Sequence, residues 1–356
     1  MTTEYYQRMG DGRRVQMTKE EIISDIEDGS NFGAEKGRVP ELTDDEKEHL
    51  LDIFLAPETV VSVNPEDRIV FSADAGPLSI YGNYGEFGGV GIPTDITTSN
   101  MVLERVCGHD IVIAVSPAGT FKSVKPLATQ MQQEIESTLM STINPMLFID
   151  APNLGAYFKP DGPYENATTL ISEGEIEKGM SEYEAAMPAL TEDIVWTAEA
   201  VAGPMGVECM NMDTTAAAGD GDFIASLKAT EEIKKKTKMS VLMGMANEYV
   251  LGVHGGLQYD GKIVAGMYPH EQVKIAAKAG VDIFGSVVNT NTKKSTPWNV
   301  AKTVALTKQC VKDSDIPVHA NLGMGVCGVP MVEIAPIDAV SRSAKALVEI
   351  ADIDGV

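Results

Sequence analysis

Two hydrophobic rhythms divide the chain. Up to about residue 139 the apolar positions are scattered among charged and polar ones, whereas from about residue 140 short apolar, β-branched runs alternate with longer stretches of helical period. The runs are MLFID (146–150), GVECMNMD (206–213), MSVLMGMA (239–246), VDIFGSVV (281–288) and IPVHANLG (316–323). Between and after them the pattern predicts helices over roughly 175–202, 220–236, 270–279, 297–313 and 336–351. Strand and helix in alternation predict a parallel sheet. An open doubly wound sheet should carry a glycine fingerprint in its first βα turn, and the turn after Asp150 reads APNLGAYFKPDGP without one. The pattern therefore predicts an α/β catalytic domain over residues 140–356, a (β/α)8 TIM-type barrel. At the chain end a helical run over Ser341–Ile350 passes into DIDGV, as the alanine-rich helix before Gly280 passes into VDIFGSV. Read that way, residues 352–356 begin a sixth strand. The barrel is then incomplete, short of two βα units, or about 80–110 residues at ordinary barrel proportions.

Residues 1–139 read as an N-terminal extension, helical first and then β-rich. Thr18-x-x-Glu21 has capping-box spacing and starts a helix over Thr18–Glu27, and a second helix follows Thr43. From Val60 to Ile92 the runs RIVFSADAG and LSIYG are short and punctuated by glycine, which predicts a small β element. The glycines of YGNYGEFGGVGIP (81–93) match neither G-x-G-x-x-G nor a Walker loop, and Pro93 rather than a helix follows, so they are predicted as turns.

Composition narrows the function classes. With 356 residues, 44% of them apolar, the chain can bury a large core. No apolar run approaches the roughly 18 residues that cross a bilayer, and the start lacks a signal-peptide pattern; a soluble cytoplasmic protein is expected. A net charge of −24 opposes binding to nucleic acid, and the one dense basic run, Lys234-Lys235-Lys236 with Lys238, ends a predicted helix where cations complement the dipole. The cysteines at 107, 209, 310 and 327 lack CxxC spacing and are predicted as reduced, buried thiols.

Catalytic groups of a βα barrel lie at the C-terminal ends of its strands. There the sequence offers Asp213, then Glu248 with His254 and Gln258 in a glycine-rich loop, then Asn289, and finally His319, which shares a strand face with Asn321. Asp220 and Asp222 read as the N-cap and first-turn acids of the next helix. Asp213, Glu248 and His319 are the catalytic candidates; Gln258, Asn289 and His254 are the substrate-binding ones. No His-x-His strand or compact His/Asp cluster suggests a metal, and no Ser/His/Asp or Cys/His set suggests a nucleophile.

Longer strings say more. RMGDG, GGVGIPT, KPDGPYEN, MDTTAAAGDGD, GVHGGLQYDG, FGSVVNTNT, GMGVCGVPMVE and PIDAVSRSAKALVEIADIDGV resemble the dimethylamine methyltransferases of methanogens, from about residue 4 to the last. The resemblance implies transfer of a methyl group from dimethylamine to the Co(I) corrinoid of a separate small protein, giving monomethylamine and methyl-Co(III) in methanogenesis. It also implies that an in-frame amber codon directly after Val356 is read as pyrrolysine, whose electrophilic imine takes up the amine. The corrinoid belongs to the partner protein, and a homo-oligomer is expected. Assignment of proton management to Glu248, Asp213 and His319 and of substrate orientation to Gln258 and Asn289 still rests on strand-end position. Without pyrrolysine and the closing strands, the 356-residue chain is expected to be inactive and poorly stable. Two competing readings are a different barrel enzyme acting on a small polar substrate without corrinoid, and a non-catalytic product that associates with full-length subunits.

Overall fold

The computed structural model describes residues 4–61, 63, 78–81, 91–94, 112–114, 120–122, 148–203, 207–332 and 335–356. In chain order the first elements are β1 (Glu4–Arg8), β2 (Arg14–Thr18), α1 (Lys19–Gly37), α2 (Asp44–Leu55), β3 (Leu78–Tyr81), β4 (Gly91–Thr94), β5 (Val112–Ala114) and β6 (Thr120–Lys122). Then come β7 (Phe148–Asp150), α3 (Ala167–Ser172), α4 (Ile176–Ala202), β8 (Cys209–Thr215), α5 (Asp220–Lys236) and β9 (Ser240–Met245). The last are β10 (Gln258–Tyr259), β11 (Lys262–Ile263), α6 (Pro269–Ala279), β12 (Ile283–Ser286), α7 (Thr296–Lys312), β13 (Val318–Ala320) and α8 (Ile337–Glu349). Among the described residues no helix is long and apolar enough to cross a membrane. The chain divides into two compact units.

The first unit comprises Met1–Pro145, Thr290–Ala305 and Leu322–Val356. β1 and β2 pair as an antiparallel hairpin whose turn needs Gly12 at φ 90. The sequence pattern does not predict this hairpin, because its two five-residue strands are too polar to stand out. Both following helices start at capping boxes. Thr18 accepts from the Glu21 N–H at 3.2 Å while Glu21 accepts from the Thr18 N–H at 2.7 Å, and Thr43 and Glu46 repeat the arrangement. α1 runs past the expected Glu27 to Gly37 because its glycines let it lie directly on the backbone of α7: a Cβ at Gly29 would stand 2.2 Å from the Trp298 carbonyl oxygen. Asp28, one residue earlier, accepts from the Trp298 indole N–H at 2.7 Å. The ends of the glycine-rich stretch pair as the antiparallel strands β3 and β4, Leu78 opposite Thr94 and Tyr81 opposite Gly91. Residues 82–90, RIVFSADAG (68–76) and Cys107 lie outside the described residues.

Over the expected sixth strand the structure shows a bridge residue, Gly355, and no named strand among the described residues. α8 ends at Glu349, Asp352 turns the backbone to φ 55, and the Ile353 N–H returns to the Leu347 carbonyl at 3.4 Å. Asp352 thus stands where the left-handed Gly280 stands before β12, and the strand start expected at DIDGV is reduced to a bridge at Gly355.

The second unit comprises Met146–Asn289 and Leu306–Asn321. Five strands form one parallel sheet in the order β13-β12-β9-β8-β7, each lying in one of the five apolar runs. The order follows the chain without the reversal that marks a doubly wound sheet. Among the described residues no ladder joins β13 to β7, so the fold shown is a mixed α/β fold with a five-stranded parallel sheet. One sheet face is apolar: Met210, Met212, Val241, Met243, Phe284, Val318 and Ala320 are fully buried, with α5 packed on β8 and α6 on β12. Burial of each large side chain contributes about 1.5–3 kcal/mol. Strand alternation then assigns the other face to Asp150, Asn211, Leu242, Ile283 and His319, all of them partly exposed or exposed.

Candidate active site

The polar face of the sheet gathers at the C-terminal ends of its strands, where open α/β sheets and barrels alike place their ligands. Its centre is a pair of glycines. Gly244 on β9 stands opposite Gly285 on β12, and Gly285 stands opposite His319 on β13. Asp213 on β8 flanks the pair from the other side, its Oδ1 3.4 Å from where a Gly244 Cβ would be; His319 Nε2 lies 2.9 Å from where a Gly285 Cβ would be. A carboxylate and an imidazole therefore lean toward two residues without side chains.

The two flanking groups differ in kind. Among the described residues neither ring nitrogen of His319 has a hydrogen-bond partner, and both are buried. Burial pushes its pKa down to about 4, so the ring is a neutral imidazole at physiological pH. Partial burial pushes the Asp213 carboxyl upward, the Thr214 N–H opposes this, and the charge of nearby Asp150 adds to the rise. Asp150 is itself engaged, accepting from the Asn211 amide at 2.7 Å.

The backbone that presents Asp213 is held in a conformation a β-branched residue avoids. Thr214 has φ 53 and Ala216 φ 67, and the β8–β9 register slips between Met212 and Thr215. Asn153, in the turn after β7, clamps this bulge. Its amide donates to the carbonyls of Asp213 (3.1 Å) and Thr214 (3.2 Å), and its oxygen accepts from the Thr214 hydroxyl at 3.1 Å. The Thr214 N–H so oriented donates to Asp213 Oδ1 at 2.8 Å.

The other residues expected at the site occupy separate positions. Glu248 and Asn289 join the ends of β9 and β12 reciprocally: the Glu248 N–H donates to Asn289 Oδ1 and the Asn289 N–H to Glu248 Oε2, both at 3.0 Å. His254 is tied to the α4 helix, with Nε2 2.8 Å from Glu184 Oε1 while Nδ1 accepts from the Gly256 N–H at 3.3 Å, which suits the tautomer protonated at Nε2. Gln258 is exposed on the β10–β11 hairpin, whose tip Asp260-Gly261 has φ 49 and 74. Asp220 is not an N-cap. That position is Gly219, and the Asp220 carboxylate receives the N–H groups of His254 (3.0 Å) and Gly255 (2.7 Å) from the next loop. Asp222 receives those of Leu154 (3.0 Å) and Ala218 (3.3 Å).

Sequence reasoning missed Asn153, Gly244 and Gly285. Asn153 carried a signal, a polar residue just past a predicted strand, that a search for glycine fingerprints in that turn passes over. The glycine pair carried none, since its alignment depends on strand register.

A profile of the dimethylamine methyltransferase family matches residues 3–356, essentially the whole chain. The chain belongs to the dimethylamine methyltransferase family. No solved structure matches it. Membership in this family makes it a methyltransferase.

Two tests address the flanking groups. Asn153→Ala is expected to cut kcat/KM for the amine by about 10–100-fold through loss of alignment, and to move the acid limb of the pH profile upward, because the carboxyl loses the N–H that favours its charged form. Unchanged kcat/KM and an unmoved limb would remove Asn153 from the positioning of Asp213. For His319 the folded pKa of about 4 lies below the ordinary 6.5. Its contribution to stability is complete above the unfolded value and is lost as pH falls through 6.5 toward 4, about 2 kcal/mol of it between pH 7 and pH 5. His319→Gln is expected to abolish that part of the acid sensitivity, read as the urea midpoint at the two pH values.

Proposed function

We propose that this protein demethylates dimethylamine, delivering the methyl group to the cobalt of a corrinoid carried on a separate protein and releasing monomethylamine. The observation that carries the reading within the family is the glycine pair flanked by one carboxylate and one neutral imidazole, unpartnered among the described residues. Dimethylamine is a cation at neutral pH, and Asp213 supplies the matching charge. Its raised pKa suits it to take the ammonium proton, freeing the nitrogen lone pair, and to return that proton later. Proton return matters because an amine leaves a methyl carbon only when its nitrogen is cationic. His319, held neutral, offers a ring nitrogen to the substrate without repelling its charge. Glu248 and Asn289 act at one remove, holding the ends of β9 and β12 that frame the face. Gln258 and His254 belong, on this reading, to a loop beside the site.

The reduced corrinoid is the methyl acceptor and supplies the nucleophile. The family resemblance further implies an electrophilic pyrrolysine following Val356, which would hold the amine nitrogen. The unreversed strand order supports a proposal that the five strands are one arc of a (β/α)8 barrel.

The test uses full-length protein from its native source, with an intact-mass measurement across Val356. Mixed with dimethylamine and a reduced corrinoid protein, it should consume Co(I) absorbance and release monomethylamine in equal amounts. Amine turnover that persists without any corrinoid protein would instead assign the chain to another chemistry.

A further inference from the structure

We propose that Gly244 and Gly285 form the floor that receives an N-methyl group of the amine, and that Gly244 sets the size of amine the site accepts. The inference rests on the amine-demethylating reading above and adds its size selectivity.

The two glycines are present for different reasons. Gly285 is required by packing: a Cβ there would stand 2.7 Å from the Gly244 Cα and 2.9 Å from His319 Nε2, closer than real contacts allow. Gly244 is required by neither packing nor backbone. A Cβ there would meet Asp213 Oδ1 at 3.4 Å, with its next neighbours, Asp213 Cα and the Met212 carbonyl oxygen, at 3.9 Å, all ordinary contacts. Its φ is also outside the left-handed range that demands glycine. Glycine inside a strand costs stability and offers no side chain to pack, so where neighbours do not demand it the usual reason is close approach of a ligand. Independent support comes from His319, whose buried ring nitrogens lack partners among the described residues and one of which overhangs the pair. A buried imidazole left unpaired costs free energy that a bound donor or acceptor restores.

The chemistry of the place fits a methylated ammonium. At Gly244 the floor is Cα hydrogen and peptide, the nearest side-chain atom to its Cβ position being Asp213 Oδ1 at 3.4 Å, while the His319 ring overhangs Gly285. The wall at Asp213 is anionic and complements the ammonium, while the His319 wall is uncharged. A methyl group resting on Gly244 distinguishes dimethylamine from monomethylamine, which keeps the ammonium but has one methyl fewer to place.

The probe is Gly244→Ala in the full-length protein, which puts one methyl group where the substrate methyl would rest. The substitution fits without backbone movement, so its thermal midpoint should match or exceed that of the unsubstituted protein. Dimethylammonium binding, measured by calorimetry, and its kcat/KM should weaken by about 10–200-fold, the range for one misplaced methyl group in a pocket. Monomethylammonium, measured as product inhibitor and by direct binding, should change by less than about threefold on the same scale. Equal weakening of both amines, or no change in either, overturns the floor. Selective loss of dimethylammonium binding in a protein that never turns over keeps the floor and overturns the reaction. An unsubstituted protein that binds neither amine overturns both.

Discussion

Asp213→Asn should lower dimethylamine turnover by about 10²–10⁴-fold, the usual contribution of a positioned acid–base group. The change is nearly isosteric, and the one bond the carboxylate makes to backbone, from the Thr214 N–H at 2.8 Å, can be accepted equally by an amide oxygen. What disappears is charge and the capacity to hold a proton. The side chain is exposed and lies near the end of its strand, so no core packing depends on it. Kinetic loss should therefore come with an unaltered melting curve. Loss of affinity for dimethylammonium should accompany the loss of kcat, because the same carboxylate balances the ammonium in the ground state. A variant retaining more than about a tenth of the activity would transfer the proton to some other group and leave Asp213 with, at most, a binding role.

The largest effect on stability is expected from Asp222→Ala. This carboxylate is fully buried, and it accepts from Leu154 and Ala218 and, less directly, from Ala216 and Ala217. Removing it leaves the buried Leu154 N–H and the part-buried Ala218 N–H without their acceptor at about 1–3 kcal/mol each, so a total near 3–5 kcal/mol is expected. That is a large share of the stability of an ordinary domain. Asp222→Asn keeps one acceptor oxygen and should lose less. A denaturant midpoint for Asp222→Ala within about 1 kcal/mol of the parent would mean that the loops carry their own order. Activity should fall with stability, because the Leu154 turn also carries Asn153.

The same residue has a pH signature of the opposite sign to that of His319. Burial raises Asp222 to about 6, above its ordinary 3.8, so the folded state keeps a proton that the unfolded chain has released. Its contribution is complete below the unfolded value and is lost as pH rises through 6, so acidification from pH 7 to pH 5 adds about 1 kcal/mol. His319 loses about 2 kcal/mol over that interval, and the two largely offset.

Helices were the most legible part of the sequence. The expected ranges 220–236 and 175–202 became Asp220–Lys236 and Ile176–Ala202, since capping, period and helix-breaking residues all act within a few positions of one another. The five parallel strands were equally legible, being short apolar runs between those helices. At the expected sixth, Asp352 is left-handed as Gly280 is before β12, and the residues after it show a bridge at Gly355 but no named strand. Strand-end position alone singled out Asp213 and His319, which the fold sets beside Gly244 and Gly285, whereas nothing local indicated that His254 contacts Glu184, 70 positions away in sequence. Asp220 and Asp222 looked like helix caps because capping is the local use of an acid at a helix start. Both do lie in the first turn of α5, though the N-cap is Gly219, and their carboxylates also hold loops 34 and 68 residues distant.

By itself the sequence determined the alternating strands and helices of the second unit, the parallel character of the sheet, the family, and the residue types near each strand end, because each of these depends on neighbours in the chain. Tertiary structure decided which of those residues meet. The opposition of Gly244 to Gly285 and the approach of the His319 ring to them follow from strand register, and a shift of one residue would turn each strand side chain to the opposite face, while the Asn153 clamp on Thr214 joins the turn after β7 to the bulge of β8.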